Sequence, residues 1–118
     1  MSRSVSEHVA DPHRTAPLDG AQAIGEACGG SRLVVRVGLW RAGDRIARAR
    51  YRASTCASLI AYAEVACALL EEGAEPAGVT PEALRARVPG VHPGHRDRAD
   101  LVAAAVRAAC GRAGGGPA

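Results

Sequence analysis

The chain contains no Lys, no Asn and no Phe, and aromatic residues make up only 3% of it. Without large aromatics the core must be built from Ala, Val, Leu and Ile, so its packing layers are thin. Without Lys, all fifteen basic residues are Arg, a bias that together with so much Ala and Gly reads as composition rather than as a functional choice. The net charge of +3 is too small to argue for nucleic acid by itself. No segment reaches the ~18 consecutive apolar residues of a membrane span. No apolar stretch follows Met1 to His8, so no secretory signal is visible and the expected location is cytoplasmic. In that reducing setting the four cysteines are expected to be free thiols or metal ligands rather than disulfides. There are no internal repeats, no Ser-His-Asp order and no paired acidic motif, and Gly29-Gly30 is too short for a phosphate loop. The chain therefore reads as a binding protein, not an enzyme.

At 118 residues this is one domain. Residues 1–19 mix Ser, His, Asp, Pro and Arg without periodicity and are expected to be disordered, as is the Gly-rich tail 113–118. An extended piece near Ala21–Ala27 precedes a hairpin. Its first strand alternates, with Leu33, Val35, Val37 and Leu39 on one face and Arg32, Val34, Arg36 and Trp40 on the other. In its second strand Arg48, Arg50 and Arg52 face solvent, and Ala47, Ala49, Tyr51 and Ala53 face inward. From Ala57 the period becomes helical, through Leu59, Ile60, Ala63, Cys67 and Leu70, and Gly73 ends the run. Thr80-Pro81-Glu82 starts a second helix that stops at Val88-Pro89. A loop with His92 and His95 leads to a last helix over about Asp97–Cys110. The expected fold is α+β, a small antiparallel sheet of about three strands with helices packed on one face.

Cys28 and Cys56 bracket the hairpin. A turn at Arg41-Ala42-Gly43-Asp44 sets Trp40 against Arg45, which places Cys28 opposite Ala57 and beside Cys56, with neither thiol inside a strand. The pair reads as half of an expected metal site. A thiol in the first turn of a helix also favours the thiolate, and Arg52 or Arg32 nearby would add to that. Cys67 lies ~16 Å along the same helix and falls on the apolar stripe, as Cys110 does in the last helix; both read as packing residues. His92 and His95 are the natural further ligands, because a Gly- and Pro-rich loop can carry imidazole to a metal. The Arg48, Arg50, Arg52 stripe reads as a solvated sheet face or, more sharply, as a docking surface for an acidic protein. No aromatics interleave it for base stacking, so nucleic acid is not the expected partner.

Three segments carry a family resemblance: Gly25-Glu26-Ala27-Cys28-Gly29-Gly30, Arg45-Ile46-Ala47-Arg48-Ala49-Arg50-Tyr51, and Cys56-Ala57-Ser58-Leu59-Ile60-Ala61. In this order they resemble the U-type iron–sulfur cluster assembly scaffolds, IscU and the NifU N-terminal domain, over a domain of residues 20–112. The resemblance implies a site of three Cys and one Asp that holds zinc or a nascent two-iron Fe-S cluster. It also implies a cysteine desulfurase and client apoproteins as partners. Cys28 and Cys56 match the first two ligand cysteines. The Asp expected two residues after the first Cys is Gly30, and the degraded chaperone-binding motif is Val88-Pro89-Gly90-Val91. Aligned on the last helix's apolar stripe, Arg98 stands at the third Cys; aligned without a gap from Val88-Pro89, His95 does, and the stripe alignment is preferred.

Three readings follow. One is a divergent scaffold or carrier that binds iron, a labile cluster or zinc through Cys28, Cys56 and His95, with a homodimer as one way to supply four thiolates. Another is a cluster-free adaptor that binds a cysteine desulfurase or another assembly protein. The third is a sulfur relay in which Cys56 carries a persulfide.

Overall fold

The computed structural model describes residues 4–113. It is the expected α+β fold: strands β1 (Ala23–Gly29), β2 (Leu33–Ala42) and β3 (Arg45–Ala53) form one antiparallel sheet in the order β1-β2-β3. Helices α1 (Val5–Ala10), α2 (Ala57–Glu71), α3 (Pro81–Arg87) and α4 (Arg98–Ala113) complete the chain. Alternation in β2 turns Val35, Val37 and Leu39 toward α2 and α4, where all three are fully buried. They meet small or aliphatic partners, Leu59, Ala63, Ala66, Val102 and Val106 among them. With so few bulky side chains, helix and sheet lie close. At Gly25 they touch: a Cβ there would sit 2.2 Å from both the Ala105 carbonyl oxygen and the Ala109 nitrogen. Gly25→Ala is therefore expected to cost at least about 3 kcal/mol, because backbone cannot rotate away from the new methyl. Urea unfolding followed by circular dichroism measures it.

The hairpin differs from the expected pairing by three residues. Gly43, at φ +66°, and Asp44 make a tight turn, and a bulge between Trp40 and Arg41 shifts the ladder, so Trp40 faces Arg48 instead of Arg45. The bulge also changes which residues face the core: Ile46 is buried and Ala47 exposed, the reverse of what uninterrupted alternation requires.

Residues 1–19 were expected to lack structure, but the described part from Ser4 onward is ordered. A capping box starts α1: the Ser4 side chain accepts from the Glu7 N–H, and the Glu7 carboxylate accepts from the Ser4 N–H. Further on, Thr15 forms a parallel bridge with Tyr51, and the Tyr51 N–H donates to the Arg14 carbonyl at 3.1 Å. This closes the outer edge of β3. The segment is held by two carboxylates of α2. Glu64, 2% exposed, accepts from the His13 and Arg14 N–H groups and from the Tyr51 hydroxyl at 3.0, 2.9 and 2.8 Å. Burial, then Glu64, push the Tyr51 phenol far above its ordinary range. Glu71 accepts from Arg14 Nε, the Ala49 N–H and Arg50 Nη1 at 2.9, 2.9 and 2.5 Å. The tail beyond Ala113 lies outside the described residues.

Burial raises the Glu71 pKa, but the Ala49 N–H, Arg14 and Arg50 outweigh it and hold the carboxyl below its usual 4.5. A depressed folded-state pKa means that the stabilisation is fully present above 4.5 and is lost as pH falls through the folded value. Thermal midpoints measured from neutral pH downward should therefore drop in acid. Glu71→Gln should start lower and show a shallower acid dependence.

Candidate functional site

The path from β3 into α2 is set by Ser54. Its N–H donates to the Val34 carbonyl at 2.9 Å, and its hydroxyl accepts from the Val34 N–H at 2.8 Å, so the ladder ends there and the chain turns. Cys56 then takes the N-cap position in extended conformation, and the Ile60 N–H donates to its carbonyl at 3.0 Å. Its thiol is half-buried and makes no capping bond. The start of α4 comes to it: the Arg98 guanidinium, with its side chain 17% exposed, pairs with the Asp97 carboxylate at 2.7 Å and also interacts with the Cys56 thiol. Asp97 first, and then Cys56, raise the Arg98 pKa further. The loop histidines approach the same helix end. His95 Nδ1 is 3.5 Å from the Ser58 hydroxyl, the His92 ring lies 5.4 Å from that of His95, and His92 Nδ1 accepts from the Gly94 N–H.

Cys28 is not part of this group. Rather than lying outside the strands, it sits within β1, paired with Val34 and not with Ala57. In β1 the odd-numbered glycines Gly25 and Gly29 back onto α4, so Cys28 and Glu26 project from the opposite, open face. There the Cys28 thiol donates to Glu26 Oε2 at 3.5 Å, and Glu26 Oε1 accepts from Arg36 Nε at 2.8 Å. The hydrogen bond to Glu26, and its charge, hold the Cys28 thiol above its ordinary pKa. Both thiols are at one end of the sheet, but on different sides of it.

That arrangement does not fit zinc or a two-iron cluster. Among the described residues no three His, Cys, Asp or Glu side chains come together as a metal site. A guanidinium has no lone pair to give and repels a cation, and Arg98 interacts with the Cys56 thiol. Gly30 is exposed, and a Cβ there would have nothing within 4 Å, so an Asp side chain would have room at this position. Cys67 is fully buried and Cys110 half-buried, and burial raises the pKa of both, in keeping with packing roles.

The arginine stripe is also reduced. Arg50 bends round the β3 edge to Glu71 and is engaged there. Arg48 lies 5.0 Å over the Trp40 ring, and Arg52 stands opposite Arg36. Glu26 was the group sequence reasoning overlooked. The signal was its i−2 spacing from Cys28, which puts both on one strand face.

No protein-family model and no curated protein matches the chain. Among solved structures, the crystal structure of a hypothetical protein at 2.3 Å resolution is similar, with TM-score 0.55 and 18% identity over 87% of this chain and 79% of that one. Likeness at that identity shows a shared α+β fold alone. No described helix is long and apolar enough to cross a membrane.

The Cys28 geometry gives a direct expectation. Glu26→Gln removes the neighbouring negative charge, so Cys28 should be alkylated several-fold faster by iodoacetamide at mildly alkaline pH. Peptide mass spectrometry resolves it from the other three cysteines.

Proposed function

We propose that this protein is a divergent relative of the U-type iron–sulfur scaffolds that keeps their fold but holds no cluster, and acts as an adaptor binding a cysteine desulfurase or another assembly protein. The observation that carries this reading is that no three His, Cys, Asp or Glu side chains come together among the described residues, while the Cys56 thiol interacts with a permanent cation, Arg98. The placement of Cys28 on the other side of the sheet supports it. A carrier using Cys28, Cys56 and His95 has to bring Cys28 out of its pairing in β1 and round to the side of Cys56. A second copy would add thiols without removing Arg98 from beside Cys56.

The family assignment rests on the order of motifs in the sequence; the adaptor role rests on the site. Anaerobic incubation with iron and sulfide, and separately with zinc, tests the role. We expect no thiolate-to-iron absorption and no stoichiometric zinc after desalting. Capture of a purified cysteine desulfurase should be the same for the parent chain and for the Cys28→Ser/Cys56→Ser variant. A chromophore that appears in the parent and disappears in that variant overturns the proposal.

A further inference from the structure

The open face of the sheet carries a charge arrangement that the fold does not need. Arg36 and Arg52 are direct cross-strand partners, and both project from this face. Like charges so placed disfavour the pairing. One carboxylate of the sheet, Glu26, meets the row, and it engages Arg36 through Nε. Arg52 is exposed and forms no ion pair among the described residues. Across the same face runs the segment 17–21, whose Leu18 and Ala21 seat on Gly38 with only 3.1 Å to spare for a Cβ. Between that segment and the arginines lies an open cleft of about 560 Å³. Pro17 and Ile24 give it apolar walls, Arg36 and Arg52 a basic one, and Asp19 also lines it.

We propose that this cleft binds an acidic segment of a partner protein, with a carboxylate bridging Arg36 and Arg52 and an aliphatic side chain lying on Ile24 and Pro17. This rests on the reading that the chain acts by binding protein, and it names the chemistry of the bound surface. Two guanidinium groups side by side match a carboxylate through paired, charge-assisted hydrogen bonds. An anion between them also removes the repulsion that the register imposes. The apolar walls favour a peptide over free phosphate. The face has Trp40 at its far end, already covered by Arg48, and offers no row of aromatics on which bases would stack.

Fluorescence anisotropy with the full chain and a dye-labelled peptide of Glu, Asp and Leu tests the proposal. The comparison peptide carries Gln and Asn in place of the acids. We expect the acidic peptide to bind, the amide peptide not to, and the affinity to fall with added salt. Arg52→Gln should weaken binding about tenfold, the effect of one lost charge-assisted contact, and Arg87→Gln, exposed on α3, should leave it unchanged. Arg52→Gln should melt no lower than the parent chain, because it relieves a like-charge pair, and this separates lost binding from lost folding. Equal binding by Arg52→Gln, equal binding of the amide peptide, or binding of inorganic phosphate or duplex DNA in preference to the acidic peptide overturns the proposal. The desulfurase plays no part in the measurement, so failure of the adaptor role and failure of this cleft are told apart.

Discussion

A carboxylate cannot be buried without donors, and Glu64 is buried on the inner face of α2. Its three donors come from two other parts of the chain, the His13–Arg14 backbone and the Tyr51 hydroxyl of β3. Satisfying that one charge therefore requires helix, strand and N-terminal segment to be assembled together. Glu71, two turns further along α2, repeats the arrangement with Arg14, Arg50 and the Ala49 N–H. The result closes one sheet edge without a fourth strand. It also ties down Arg50, which otherwise belongs to the open face.

The position of α2 then determines the site. Cys56 is its N-cap, so wherever the two glutamates anchor the helix the thiol goes too, on the side of the sheet where α4 begins with Arg98. Cys28 follows a different rule. It belongs to β1, and the close seat of α4 on Gly25 leaves no choice of face for the residues between the glycines. Two thiols that converge along the chain's path are thus separated by the sheet itself. What stands beside each is a charge of opposite kind: Glu26 keeps the Cys28 proton in place, and Arg98 lies against Cys56.

Much of the fold was legible in the residues. Alternation from Leu33 to Leu39 places the sheet face, and the starts and stops at Ala57, Gly73, Pro81 and Pro89 place α2 and α3. The helix α1 was not read from the sequence, because it is short and followed by Pro12, and the contacts of residues 13–16 with distant residues make the segment part of the domain. The bulge opposite Trp40 was not legible, since nothing in Ile46 or Ala47 demands that Ala47 be left unpaired in the ladder. A single such residue exchanges Ile46 for Ala47 at the core.

For the candidate site the division is sharper. The sequence alone determined the thin Ala- and Val-rich core, the α+β order and the placement of Cys28 and Cys56 at one end of the sheet, because these depend on periodicity and spacing within short segments. Only the tertiary structure decided that the thiols lie on different sides, that Arg98 stands beside Cys56, and that Arg36 and Arg52 share a cleft. Those depend on register and on how helices seat across strands, which contacts between distant residues set and local spacing does not encode.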